Sequence, residues 1–422
     1  MNVIPVSDAG RLAELFRGGW DPPETVVGRV GSIVRDVRLR GDEALVAYTR
    51  EFDAPDFTDS LLRVSIPSLP EAARLVPDEI ARGLELARSR VSRFHAAQLR
   101  DDIAYADEDG TEYRFAYRAL DSIAAYVPGG TATLPSSVIM AIVPAKVAGV
   151  RRAIVLTPPQ HDGTVPDAVR FACALCGADE LYAVGGAQAI AAAAYGTASV
   201  ARVDKIVGPG NLWVTEAKRQ VYGACAIDGL AGPSEVLIVA DDAANVDLVT
   251  AELLAQAEHD TLARVVLVSR SETLLHACAQ ALDALDLSAL PRGEILAGVI
   301  QHGCYLVHAP SDGDVLDVID RFAPEHLCLY VRNPQAYLPH VRRAGAIFVG
   351  TQTPVAAGDY LAGSNHVLPT SGAARFSSGL STADFVRTFS VVQNSAARMR
   401  ADAPTIRLLV APKSHSNWSA DS

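Results

Sequence analysis

The chain is short of cysteine, methionine and tryptophan, and it has no surplus of positive charge. Its 37 Lys and Arg are outnumbered by 49 Asp and Glu, which leaves a net charge of −12. Nucleic acids and anionic membranes are held by clustered positive charge. No dense basic run occurs, so neither is an expected partner. The six cysteines, Cys173, Cys176, Cys225, Cys278, Cys304 and Cys328, sit in apolar surroundings. The opening Met1-Asn-Val-Ile-Pro-Val-Ser-Asp8 lacks the basic and apolar regions of a secretory leader. The cysteines therefore read as reduced, mostly buried thiols of a cytoplasmic protein rather than as disulfides. Cys173 and Cys176 have CxxC spacing, but they fall inside a helical pattern with no second pair and are set aside as a site.

An unbroken membrane-spanning run is also missing. Leu181 to Ala201 carries no charge and has the length of a spanning helix. Gly185, Gly186, Gln188 and Gly196 interrupt it, so a buried strand, a turn and a helix are expected there. Neither a Walker A loop nor the six-residue dinucleotide fingerprint occurs, and there is no internal repeat. What is present is apolar material, 49% of the residues, enough to exclude disorder on a large scale. A length of 422 residues predicts two to four domains at roughly 100–200 residues each.

Helical periodicity runs over Val26–Thr49 and Ala72–Gln98, with apolar residues three and four apart among charges. From about Ala124 the texture changes to short apolar runs alternating with helical stretches. Strands are expected at Arg152–Thr157, Glu180–Val184 and Lys205–Val207, with helices at Val165–Cys176 and Ala187–Tyr195. The rhythm resumes with strands at Glu235–Ala240, Arg264–Ser269, Gly303–Val307, Cys328–Val331 and Ala346–Gly350. Helices at Asn245–His259 and Glu272–Leu287 lie between them. This alternation is that of parallel sheets covered by helices. The predicted fold class is therefore α/β: two such units in tandem, with a helical N-terminal preface and a small C-terminal segment. Residues 231–235 are the expected seam.

Four constellations carry candidate chemistry. Val184-Gly-Gly-Ala-Gln188 and Val207-Gly-Pro-Gly-Asn211 each close a strand and open a helix, the place where an α/β sheet binds phosphate-bearing ligands. Each alone is equally an ordinary tight turn; two at successive strand ends, with Tyr126-Val-Pro-Gly-Gly130 as a third wall, suggest a shared crevice. Gln256 and His259 share one helix face, and an imidazole with an amide carbonyl suits a metal such as zinc. Two donors do not make a site, and a helix-terminal His is often a capping or solvent-facing group. Glu325-His326 sets an acid beside a base with the pKa for proton transfer near neutrality, or is a simple loop pair. Asp359 and His366 lie close together among glycines, in a segment that also fits an Asx-type turn.

In this wording and order, Tyr126-Val-Pro-Gly-Gly130, Val184–Ile190, Asp204–Asn211, Gly232-Pro-Ser-Glu235, Gln256-Ala-Glu-His259, Ala323-Pro-Glu-His326 and Gly358-Asp-Tyr360 to Phe376-Ser-Ser-Gly-Leu-Ser381 resemble the histidinol dehydrogenases. The resemblance runs from about residue 5 to about residue 400. It implies a zinc-dependent, NAD-linked four-electron oxidation of L-histidinol to L-histidine through the aldehyde, a step of histidine biosynthesis. Implied metal ligands are Gln256, His259 and Asp359. The resemblance makes His326 the base for alcohol oxidation and Glu325 the activator of water for the aldehyde. Tyr126, Gln188 and Asn211 are the implied NAD contacts. Ser234, Gln256, His259, His326, Asp359 and His366 are the implied substrate contacts, around a small amino alcohol.

The implied fold is two Rossmann-like domains. Residues 27–125 plus 235–375 form the substrate and zinc side, and 126–234 form the NAD side. Residues 1–26 pack with the tail, and 376–422 are a dimerisation segment of an intertwined homodimer. The tail departs from the family, which ends in Glu-Gly-Leu-x-x-His-Ala and supplies from it a substrate-binding Glu and a fourth zinc ligand. No Glu follows Glu325 in this chain, and His415 is the one histidine after His366. The fourth ligand is then His415, in a context that does not match, or none. The departure leaves two other readings: a relative oxidising another small polar alcohol, such as a sulfonated diol, or a tail-impaired, catalytically weak or silent member.

Overall fold

In the computed structural model, residues 1–129 and 134–410 are described. The expected parallel sheets are both there. The first has strand order Arg63–Val64, Glu180–Ala183, Arg152–Thr157, Ser122–Tyr126, Lys205–Val207, Ala226–Ile227. Its strands are parallel except Arg63–Val64. The strands are apolar on both faces, as a sheet covered twice demands. Helices Pro135–Val147, Asp167–Cys176, Gly186–Tyr195 and Leu212–Val221 make the crossovers. The helix Pro135–Val147 is buried from Ser136 through Ala145, because it lies between the sheet and the long helix Asp78–Ala96.

The second sheet is parallel throughout, in the order Val3–Pro5, Cys304–His308, Arg264–Ser269, Glu235–Ala240, His326–Tyr330, Ala346–Val349. Alternate residues of its strands feed two cores, one on each face. A third sheet is antiparallel: Val386–Gln393, Glu112–Ala119, Ile103–Ala106. The sequence reading had no strands there, nor at Ser122–Tyr126.

The structure divides the chain differently from the predicted boundaries. Val26, Val30, Ile33, Val34 and Val37, with Leu45, Phe57 and Val91, share one core with residues 123–225. The helices of residues 24–96 therefore pack with 126–234, while 103–119 form the third sheet with 386–393. The cause is the apolar stripe of the helix Glu24–Arg40, which meets the alanine-rich helix Gly186–Tyr195; small side chains let the two backbones approach. The single helix expected over Val26–Thr49 is broken at Gly41, whose φ of +56° needs glycine. The first residues are also not a separate segment: Val3–Pro5 is an edge strand of the second sheet, and Leu12 and Leu15 are buried in its core. All six cysteines are free, and five are buried, as the sequence implied. Among the described residues, no helix is long and apolar enough to cross a membrane.

Candidate active site

Two hollows lie along the C-terminal edge of the first sheet. The larger, about 760 Å³, is lined by Tyr126, Gly129, Pro158, Gly186, Gln188 and Asn211, among others. The two glycine turns and the Tyr126 segment thus meet as the spacing suggested. The Gly186 N–H donates to Tyr126 Oη at 3.2 Å, and Asn211 Oδ1 accepts from the N–H groups of Trp213 and Val214 at 3.1 Å. That cap leaves the Asn211 amide donors for another partner. Gln188 is buried, yet neither polar atom of its side-chain amide has a hydrogen-bond partner. Such a group costs stability unless something else satisfies it, which marks the wall as one shaped for a polar ligand.

The second hollow, about 540 Å³, holds Gly208, Pro209, Ser234, Glu325, His366 and Thr370. It lies where the C-terminal end of strand Lys205–Val207 meets the N-terminal ends of Glu235–Ala240 and His326–Tyr330. The second domain therefore contributes chemistry from the opposite strand edge to that used by the first.

Local chain geometry explains how Glu325 and His326 are presented. Helix Asp312–Phe322 stops at Ala323, which has a φ of +50°, and Pro324 forbids its continuation. The strand then starts at His326. Both side chains are clamped by one residue across the sheet: the Glu235 N–H donates to Glu325 Oε2 at 2.9 Å, and His326 Nδ1 lies 3.0 Å from Glu235 O. The Glu235 carboxylate pairs with Arg264, whose guanidinium also donates to Leu15 O and Arg17 O at 3.1 Å. His326 Nε2 is buried, has no hydrogen-bond partner, and lies 3.8 Å from Asp359 Oδ1.

Asp359 stands at the end of the short helix Val355–Tyr360, and its carbonyl lies 2.9 Å from His366 Nδ1. That helix is tied to Val246–Ala257 by Glu252, which accepts from Val355 N–H at 3.0 Å and from Tyr330 Oη at 2.7 Å. Gln256 follows one turn later, buried on the same face. His259 lies just past the helix end, exposed, with Nδ1 3.3 Å from Gln256 O.

The electrostatics follow from burial and crowding. Burial pushes the Glu325 carboxyl up to about 7. Burial disfavours the His326 imidazolium, but Glu325 and Asp359 outweigh it and push that group up to about 9. Burial pulls His366 down, so it stays neutral. The carboxyl groups of Glu325 and Asp359 thus favour positive charge on the His326 ring between them, while His366 beside Asp359 stays neutral.

Among the described residues, no three His, Cys, Asp or Glu side chains converge in metal-ligating geometry. The nominated set has only two of those types, His259 and Asp359, because Gln256 is an amide; its donor chemistry, N and O, still fits zinc. His415 lies outside the described residues. Sequence reasoning missed Glu235 and Arg264, although Gly232-Pro-Ser-Glu235 was in view. It also missed Trp20, whose Nε1 donates to the buried Glu216 at 3.1 Å beside the smaller hollow.

The sequence profile described as histidinol dehydrogenase matches residues 21–412. The histidinol dehydrogenase of Agrobacterium fabrum is 45% identical over 381 residues, covering 90% of this chain and 88% of that protein. That of Moorella thermoacetica is 42% identical over 408 residues, covering 96% of both. A crystal structure of histidinol dehydrogenase from Elizabethkingia anophelis superposes with a TM-score of 0.89 at 33% identity, over 97% of this chain and 94% of that one. Profile, sequence and fold agree over nearly the whole length, so this chain belongs to the histidinol dehydrogenase family and is an NAD-dependent dehydrogenase.

Proposed function

We propose that the protein oxidises L-histidinol to L-histidine through L-histidinaldehyde, in histidine biosynthesis. The observation that carries this reading is the state of His326. A carbonyl oxygen only accepts hydrogen bonds, so the contact to Glu235 O puts the ring hydrogen on Nδ1. In the neutral ring Nε2 then carries the lone pair, buried and unpartnered, and in that form it takes the alcohol proton. Glu325 stands beside the ring, with Oε2 3.5 Å from His326 Nδ1, and lines the smaller hollow, where its carboxylate draws a proton from water attacking the aldehyde. Ser234 and His366 line that hollow and orient the amino alcohol.

Gln256, His259 and Asp359 are the residues that would hold zinc, which supplies when bound a template for the substrate's amine and oxygen. Tyr126, Gln188 and Asn211 would hold NAD, the hydride acceptor of both halves. The orphaned amide of Gln188 supports the second assignment. An intertwined homodimer fits the helix Ala396–Val410, which buries no residue and leaves Ile406, Leu408 and Leu409 exposed; most helical stability comes from packing an apolar face against another surface. A cytoplasmic location fits the free thiols.

The missing Glu after Glu325 favours one second reading, a dehydrogenase of another small polar alcohol such as a sulfonated diol. A spectrophotometric assay with histidinol and a diol panel separates the two. Two NADH formed per histidine is the expected result, and turnover on the diols alone would discard histidinol as the substrate. Zinc that survives dialysis, and is lost in His259→Asn, is expected from metal analysis.

A further inference from the structure

The larger hollow has a wall that neither the motifs nor the proposed reaction uses. Asp53 follows the helix Asp42–Phe52 and lines the hollow with Tyr126 and Gln188. Its backbone is fixed, since its N–H donates to Thr49 O at 2.9 Å. Its carboxylate is not: burial is the one influence on its ionisation, and no hydrogen-bonding group or charge among the described residues contributes. The neighbouring cation is already committed, because Arg29, which lines the same hollow, pairs with Glu51 at 2.8 Å. Phe52 is half exposed on this wall and stacks on Tyr48 at 5.8 Å with nearly parallel rings. An unpaired carboxylate next to an aromatic platform is a pair of features suited to a ribose and its purine.

The sheet order says which ribose. Phe57 and Leu61, just beyond Asp53, abut Gly163, in the loop after strand Arg152–Thr157. That strand is two places from Lys205–Val207, with Ser122–Tyr126 between. The Lys205–Val207 end runs into Gly208 and the hollow that holds Glu325. The nicotinamide must reach that hollow, so Asp53 stands over the other half of the cofactor.

We propose that Asp53 accepts the 2′-hydroxyl of the adenosine ribose and sets the preference of this crevice for NAD over NADP. The inference rests on the reading of the larger hollow as the dinucleotide site. A carboxylate accepts from a vicinal hydroxyl pair and repels a 2′-phosphate, whereas an NADP site supplies a free Arg. Arg29, held by Glu51, does not supply one.

The test is direct binding, by titration calorimetry, of NAD⁺, NADP⁺ and the 2′-deoxyadenosine analogue of NAD⁺ to wild type and Asp53→Asn. Wild type should bind the 2′-deoxy analogue about tenfold more weakly than NAD⁺, the size of one charge-assisted hydrogen bond. Asp53→Asn should bind NAD⁺ about tenfold more weakly, with NADP⁺ unchanged or tighter, and should no longer distinguish the 2′-deoxy analogue. Equal wild-type affinity for NAD⁺ and its 2′-deoxy analogue overturns the proposal. So does a folded Asp53→Asn that keeps the wild-type ratio of NAD⁺ to NADP⁺ affinity. The analogue comparison needs no variant, so it decides even if Asp53→Asn fails to fold. No saturable NAD⁺ binding by wild type would bring down the cofactor reading and this inference together; NAD⁺ binding indifferent to Asp53 and the 2′-hydroxyl brings down this inference alone.

Discussion

The ring nitrogen Nδ1 of His326 lies 3.0 Å from the carbonyl oxygen of Glu235. One peptide unit away, the Glu235 N–H holds Glu325 at 2.9 Å. A single residue at the start of a central strand thus sets the tautomer of one group and the orientation of the other. Its own carboxylate, held by Arg264, keeps that strand end in place from the opposite side of the chain.

His326→Asn tests the tautomer argument. The Asn amide places a donor near the position of Nδ1, so the bond to Glu235 O survives and the melting temperature should stay within a few degrees. The proposed base is lost, and alcohol oxidation should fall by about 10²–10⁴, the range of general-base catalysis. Oxidation of added histidinaldehyde, followed separately, should fall less. An unchanged kcat for the alcohol would remove His326 from this role.

Glu325 gives a pH signature. Burial pushes its carboxyl up to about 7, and in the proposed reaction the carboxylate is the form that activates water. Aldehyde oxidation should therefore rise as pH increases through about 7 and be lost as pH falls below it. Glu325→Gln should remove that limb of the kcat/KM profile along with most of the activity. A profile for the aldehyde step that is flat between pH 6 and about 8 would argue against a titrating Glu325.

Gln188→Leu separates binding from folding. The wild-type amide is buried with both polar atoms unsatisfied, a cost of about 1–3 kcal/mol that the folded protein carries for its ligand. Removing it should leave the ligand-free melting temperature unchanged or higher, while NAD⁺ affinity drops about tenfold. A variant that melts lower and binds NAD⁺ normally would make Gln188 a structural residue.

The sequence showed the parallel strands because each is a short apolar run between glycine and proline punctuation, and local periodicity is enough to see that. It showed Glu325, His326, Gln188 and Asn211 because they sit in such punctuation, at strand ends. It hid the domain to which the helices Glu24–Arg40 and Asp78–Ala96 belong, since amphipathicity says that a helix buries a face but not against what. Strands Glu112–Ala119 and Val386–Gln393 were hidden for a related reason: they are mostly exposed and pair over more than 260 residues of separation, so neither carries a clear alternation. Glu235 and Asp53 were hidden because one acts through its backbone and the other is an isolated acid after a helix.

Lys218 and Asp228 were hidden in the same way, and their role is testable. Lys218 is buried, Asp228 is largely shielded, and they pair with each other. Lys218 Nζ donates to Gly208 O at 3.0 Å, and the Gly208 N–H donates to Asp228 Oδ2 at 2.7 Å. Gly208 has a φ of +109°, and a Cβ there would lie 2.2 Å from Tyr126 O. The pair therefore fixes the turn that separates the two hollows, in a conformation only glycine adopts. Lys218→Met leaves the shielded Asp228 carboxylate without its partner, which should cost about 3 kcal/mol, the low end for a broken buried pair, and lower the melting temperature. Adding Asp228→Asn removes the stranded charge and should restore more than half of that loss. NAD⁺ affinity should not recover with it, because the Gly208 carbonyl still lacks its donor. If the double variant is no more stable than Lys218→Met, the cost lies in packing of the lysine stem and not in the unpaired carboxylate.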